Sequence, residues 1–184
     1  MPKRWDIDRT YVMSDLHFFH ENILKYDRRG QPLFTDVEQR FQLMKGWWNE
    51  TVKPDDSVIL LGDTCFVKEE LHRLKELNGV KYLVRGNHDE YSEWRYLETA
   101  GFKRVMPRVC VAGLLFTHYP VHPIEMKRYN GNVHGHIHSE IIDDPKYLSV
   151  CAEQINYRPK LLREILEHFG LIETYADPDF VEKE

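Results

Sequence analysis

Thr10-Tyr-Val-Met-Ser-Asp-Leu-His17 is a β-prone run, Thr10 to Met13, that breaks off into an acid and a histidine. The same design recurs twice downstream. Val58-Ile-Leu-Leu61 stops at Gly62-Asp63, and Tyr82-Leu-Val84 stops at Arg85-Gly-Asn-His-Asp89. Between these runs, Val37 to about Thr51 and Lys68 to Leu77 carry apolar residues near three-and-four spacing, which predicts helices. Strands alternating with helices imply a mostly parallel sheet. Its polar motifs then gather at the carboxyl ends of the strands, where open α/β sheets place their ligands.

Beyond residue 100 the texture becomes β-rich: Val109 to Ala112, Leu114 to Thr117, Asn132 to His134 and Tyr147 to Cys151, with turns expected at Ala112-Gly113 and Asn130-Gly131. A second sheet is expected here. Pro159, the run Lys160 to Phe169 and then Gly170 carry the start and stop signals of a closing helix. The expected fold is therefore α/β, a sandwich of two mixed sheets flanked by helices.

The length of 184 residues suits one domain spanning residues 1–184, and no repeat or linker divides it. Only the acidic tail, residues 177–184, is expected to fray. A net charge of -5 argues against broad binding to nucleic-acid backbones, which needs a basic face. It does not exclude small anions, because bound cations would bring their own positive charge. Cys65, Cys110 and Cys151 are odd in number and in no CxxC arrangement, so a reducing, cytoplasmic setting is expected. No signal-like or membrane-spanning apolar run is present.

Five polar clusters follow apolar runs: Asp15-Leu-His17, Gly62-Asp63, Gly86-Asn-His-Asp89, Thr117-His118 and Gly135-His-Ile-His138. Each alone has a bland explanation as a turn or surface pair. Together they would be costly to bury without a partner. Carboxylates, imidazoles and an amide oxygen, without thiolate, suit a pair of divalent ions such as Mn, Fe, Zn or Ni. Two ions about 3.5 to 4 Å apart can share one carboxylate and a bridging hydroxide, and Asp63 is the bridging candidate.

The order Asp-x-His, Gly-Asp, Gly-Asn-His-Asp, His, Gly-His-x-His over residues 11–138 resembles the calcineurin-like metallophosphoesterase superfamily. Ser14 to Leu24 with Asn156-Tyr-Arg-Pro159 is similar to its small bacterial and phage members that lack a cap domain. The resemblance implies that Asp15, His17 and His138 hold one metal, that Asn87, His118 and His136 hold the other, and that Asp63 bridges them. It also implies that His88 helps the leaving oxygen depart and that Asp89 orients His88. Manganese is the first choice of metal. Departing from the family, Asp63-Thr-Cys-Phe66 has an aromatic where many relatives carry a charge three positions after the aspartate.

The expected chemistry is hydrolysis of phosphate esters, small phosphodiesters foremost, by a hydroxide held between two metals. A phosphomonoesterase, a nuclease, or a silent protein-binding scaffold on the same fold are the alternatives. The complete motif set speaks against the scaffold. Around the site, His20, Asn22, Arg28, Arg29, Arg85, Tyr119 and His122 could reach a substrate or simply be surface groups. At least one of Trp47 and Trp48 should be core, and Cys65 a small buried residue. Asp89 could instead cap a helix beginning near Ser92.

Overall fold

Each early strand sends alternate side chains into two separate cores, so its sequence stays apolar where a half-exposed strand would alternate with polar residues. The computed structural model describes residues 5–176, which leaves the acidic tail 177–184 outside the described residues. In β1 (Thr10–Met13), Val12 and Met13 enter different cores. In β2 (Ser57–Leu60), Val58 and Leu60 oppose Ile59, and in β3 (Val80–Val84), Leu83 opposes Tyr82 and Val84.

The first core lies between these strands and a helical layer. It contains Phe41, Met44 and Trp48 of α2 (Val37–Thr51), which follows the short α1 (Ile23–Tyr26), and Tyr96 of α3 (Glu93–Glu98). Helix α2 starts where the Asp36 side chain accepts from Gln39 N at 2.8 Å while the Gln39 side chain accepts from Thr35 N at 2.7 Å, a reciprocal cap. It ends at Val52, two residues before Pro54.

The segment expected as an α-helix from Lys68 to Leu77 is a 3₁₀ helix, Lys68–Glu76. Its apolar residues are Leu71, Leu74 and Leu77, a strict spacing of three. At three residues per turn all of them face the core, and all are buried.

β4 (Phe102–Met106), which the sequence reading did not anticipate, extends the first sheet to the order β4-β3-β2-β1-β9. β1 to β4 are parallel. The second sheet, β5-β6-β7-β8, consists of β5 (Val109–Val111), β6 (Leu114–Thr117), β7 (Gly131–His134) and β8 (Tyr147–Ser149). β5 and β6 form a hairpin through Ala112-Gly113, both at positive φ as its tight turn requires. Asn130-Gly131 is not a hairpin turn, because β6 and β7 are parallel and the chain must cross over between them. The 3₁₀ turn Glu125–Arg128 lies on that crossover.

The expected helix over Lys160 to Phe169 is also corrected. Lys160–Leu161 form β9, antiparallel to Tyr11 and Val12, and α4 covers only Leu162–His168, followed by α5 (Ile172–Ala176). The open edge of β1 recruits the two residues that local signals assign to the helix. Leu162, Ile165 and Leu166 then close the second core, which also takes Val109, Val111, Leu114, Phe116 and Val133 from the second sheet. The result is the expected sandwich of two mixed sheets flanked by helices. Among the described residues no helix is long and apolar enough to cross a membrane.

Candidate metal centre

Because β1, β2 and β3 are parallel and in register, with Met13 opposite Leu60 and Leu60 opposite Leu83, their polar sequels leave the same edge together. Asp15 N donates to Gly62 O at 3.1 Å and His17 N to Asp63 O at 3.0 Å, so the first two loops run side by side. Ser14 joins the two sheets. Its N donates to Val150 O at 2.9 Å, its carbonyl accepts from Ala152 N at 3.0 Å, and its hydroxyl donates to Leu61 O at 2.7 Å. His136 N reaches back to Asp15 Oδ2 at 2.9 Å, and Gly135 N donates to His118 O at 2.9 Å.

Left-handed backbone clusters here. Asp15 (φ 57°), His17 (45°), Asp63 (54°), His136 (71°) and His138 (53°) all adopt it, a conformation costly for side-chain-bearing residues and typical of over-determined functional loops. The loops also touch closely. A β-carbon on Gly86 would strike the Asp63 carboxylate, and one on Gly135 would strike Ser14 and Asp15.

These constraints gather two donor groups, Asp15 with His17 and His138, and Asp63 with His118 and His136, the donor atoms in each within 4.8 Å of one another. Asp63 Oδ2 lies 3.6 Å from His17 Nε2 and 3.5 Å from His118 Nε2, so it faces both groups. Asn87 Oδ1 is 2.8 Å from His118 Nε2.

The donors have the unmet demand that cations would satisfy. Asp15 Oδ1 and His17 Nε2 are buried without a hydrogen-bond partner, and they stand 3.5 Å apart. His118 Nδ1 lies 2.7 Å from the Leu61 carbonyl, which can only accept, so Nδ1 donates there, and Nε2 and Asn87 Oδ1 converge as two donor atoms that a cation would bring together. His138 Nδ1 likewise faces Glu153 Oε1 at 2.8 Å, leaving Nε2 toward Asp15. Burial opposes the charge on Asp15, but the nearby His17 and His118 outweigh it and hold its carboxyl well below the usual range. Burial and the neighbouring His118 push His136 down, toward the neutral imidazole that binds metal. Burial would push His138 down as well, but Glu153 outweighs it and raises its pKa. The residues fit a pair of divalent cations.

His88 and Asp89 sit differently at the site. His88 is exposed, and its backbone N donates to Asp63 Oδ1 at 2.9 Å. Asp89 is buried, and its hydrogen bonds go elsewhere than to His88. It accepts from Asp63 N (2.8 Å), Thr64 N (3.1 Å), Thr64 Oγ1 (2.9 Å), Gly86 N (2.9 Å) and Tyr96 Oη (3.3 Å). Through these bonds Asp89 clamps the second loop to the third. It does not cap α3, whose N-cap is Ser92.

Phe66 forms an aromatic wall beside the donor groups. His20 stacks flat on it at 4.1 Å, and it also packs on His17 at 4.9 Å and His88 at 4.7 Å. Across the site Tyr119, 49% exposed, packs on His136 at 4.4 Å and His118 at 5.1 Å. The remaining candidates have other engagements. Asn22 is the N-cap residue of α1 and accepts from Lys25, Arg28 is exposed, and Arg29 donates to Glu153 O at 3.1 Å. Arg85 donates to Tyr91 O at 2.9 Å, and His122 is exposed and accepts from Ile124 N. Trp48 is core and Trp47 half-buried against it. Cys65 is buried, its thiol pushed up to about 12 by desolvation. The sequence reading missed Ser14, Arg40 and Glu153, whose contacts with the ligand loops span the two sheets and leave no local signature.

Residues 9–181 match the model of the family described as Calcineurin-like phosphoesterase. The chain belongs to this family. Among its relatives, the uncharacterized protein MJ1445 of Methanocaldococcus jannaschii is 30% identical, with 92% of this chain and 97% of that protein covered. The Gene 66 protein of Mycobacterium phage L5 is 28% identical over 74% of this chain and 80% of its own. Among solved structures, AQ665 of Aquifex aeolicus, a protein of unknown function, superposes with a TM-score of 0.67 at 25% identity, covering 86% of this chain and 97% of that one. As a calcineurin-like phosphoesterase with two grouped sets of donors, the chain is read as a metal-dependent phosphoesterase.

Proposed function

We propose that this chain is a dinuclear metal-dependent hydrolase of small phosphodiesters. The observation that carries the reading is Asp63 Oδ2 facing both His17 Nε2 and His118 Nε2 at about equal distance, 3.6 and 3.5 Å, between two donor groups. Asp15, His17 and His138 would hold one divalent ion, and Asn87, His118 and His136 the other, with Asp63 shared and manganese the first choice. Two such ions, when bound, supply a water of lowered pKa and neutralise charge on the phosphoryl oxygens.

The chain's own residues supply the rest. His88 is fixed by its backbone and leaves its ring at the open side of the site, placed to hand a proton to the departing oxygen. Tyr119 and Phe66 give the mouth two flat walls that orient an organic group on the ester. A net charge of -5 disfavours long nucleic acid, which supports small substrates in a cytoplasmic setting.

The test is elemental analysis of the purified chain, followed by a screen of phosphomonoesters, phosphodiesters, cyclic nucleotides and oligonucleotides with Mn, Fe, Ni, Zn and Mg added separately. Two ions per chain and highest turnover on small diesters are expected, and Asp63→Ala and His136→Ala should abolish turnover and weaken metal retention while leaving the fold largely intact. A saturated chain with no metal or only one ion at these residues, or either variant at near wild-type turnover with metal in excess, would sink the proposal.

A further inference from the structure

Two buried charges beneath the metal centre have no part in the reading above. Arg40, on α2, is 2% exposed, and Glu153, in the 3₁₀ turn Ala152–Ile155, is 3% exposed. Arg40 occupies a helix face whose other buried members are Phe41, Met44 and Trp48, where an apolar side chain would be the inexpensive choice. A buried guanidinium costs several kcal/mol unless something offsets it.

Its one hydrogen bond leads to a donor group, while Arg40 Nε and Nη2 are buried without a hydrogen-bond partner. Arg40 Nη1 donates to the carbonyl of Leu16, the residue between Asp15 and His17. The charges of Asp27 and Glu153 both act on Arg40. Asp27 is itself held by Tyr157 Oη at 2.8 and 2.9 Å and by Gly30 N at 2.9 Å. Glu153 places Oε1 2.8 Å from His138 Nδ1, and Arg29 donates to the Glu153 carbonyl at 3.1 Å. The loop carrying Asp15 and His17 is thus held by a hydrogen bond from Arg40, and His138 by Glu153.

The other group is backed differently. His118 Nδ1 faces a neutral carbonyl, that of Leu61, at 2.7 Å. A carboxylate behind an imidazole makes its far nitrogen a stronger donor to a cation than a carbonyl does. Resting on the two-ion reading above, we infer that Glu153 and Arg40 are positioning residues that make Asp15, His17 and His138 the tighter of two unequal metal positions.

The full-length chain, stripped with a chelator and titrated with Mn²⁺, tests this. Calorimetry on the wild type should resolve a tight and a weak step, and anomalous diffraction at one equivalent should find the ion among Asp15, His17 and His138. Glu153→Gln, which keeps size but removes charge, should weaken the tight step by roughly 10- to 100-fold and spare the weak one. Arg40→Met should act on the same step, and Glu153→Gln decides the matter if Arg40→Met does not fold. A merely structural role would lower the melting temperature of the metal-free chain and leave the ratio of the two affinities unchanged. The inference alone is overturned if the first ion settles between Asp63, His118 and His136, or if Glu153→Gln alters neither step or both equally. A wild-type chain that takes fewer than two ions overturns the two-ion reading and this inference with it.

Discussion

His88 is anchored to the site by its backbone, while its ring lies edge-on to His17 at 6.0 Å. Its N–H on Asp63 Oδ1 survives any substitution other than proline, so His88→Ala removes the imidazole while leaving the Asp63 contact in place. The expected outcome is retention of metal with slower hydrolysis of alkyl diesters, by about 10²- to 10⁴-fold, and little change on nitrophenyl esters, whose leaving group needs no proton. Rates on both substrates, with metal content measured alongside, check this. Equal slowing on both would assign His88 to phosphate positioning instead. Asp89 carries the opposite burden: its two oxygens serve only as acceptors, and every partner is a donor. Asp89→Asn turns an NH₂ toward those donors and should cost about 2 to 4 kcal/mol in urea unfolding, with the loops and metal retention loosened together. The motif Gly86-Asn-His-Asp89 was visible in the sequence. That its aspartate reaches 25 and 26 residues back, to Thr64 and Asp63, was not.

At the scale of elements, the 3₁₀ helix Lys68–Glu76 is strapped to α2 by Arg73 at its centre, and by Lys45 and Asn49 of α2, which bind Glu76 at 2.7 and 2.9 Å. Arg73 makes a two-pronged contact with Glu38 at 2.6 and 2.7 Å, reaches Glu70 and Glu76 at 3.3 and 3.2 Å, and lies over the Phe41 ring at 4.2 Å. An isolated exposed pair contributes little, but a bidentate, half-covered guanidinium on an aromatic ring does more. Arg73→Ala should destabilise the chain by about 1 to 2 kcal/mol, with part of the loss disappearing in high salt. Chemical denaturation at two ionic strengths measures it, and a loss below a few tenths of a kcal/mol would contradict the role. The helical pattern over Lys68 to Leu77 was legible, but read as three-and-four spacing it was expected as an α-helix, and only the structure showed the 3₁₀ form that buries Leu71, Leu74 and Leu77 together. Lys160 and Leu161 offered no sign of their strand, since it exists only because β1 has an edge to fill.

For the whole molecule, pH acts on global stability through a buried ammonium. Lys81 enters the first sheet at β3, donates to Leu77 O at 2.7 Å and Gly79 O at 3.2 Å, and is pushed by burial from 10.5 down to about 8. Below pH 8 both folded and unfolded chains hold this proton, and the folded chain bears the whole cost of the buried charge. Between pH 8 and 10.5 the folded chain releases it while the unfolded chain keeps it, so this group's contribution to stability rises with pH and levels off above. The stability of Lys81→Met relative to wild type should therefore fall by about 3 kcal/mol between about pH 7 and about pH 10.5. Urea unfolding of both proteins at the two pH values reads this out, and a constant difference would refute it.

The sequence by itself determined the apolar runs, the polar motif after each, and the order in which aspartates, histidines and an asparagine appear. Periodicity and donor chemistry are local and exposed five polar clusters, and the resemblance to the family singled out the seven candidate ligands among them. Only the tertiary structure decided that Asp63 faces both groups, that Asp89 clamps the second loop to the third, and that Arg40 and Glu153 stand behind one half of the centre. Those relations join residues far apart in the chain, such as Asp15 with His136 and Arg40 with Leu16. Sheet register and the meeting of two sheets at Ser14 and Cys151 set them, and neither leaves a trace in the spacing of neighbouring residues.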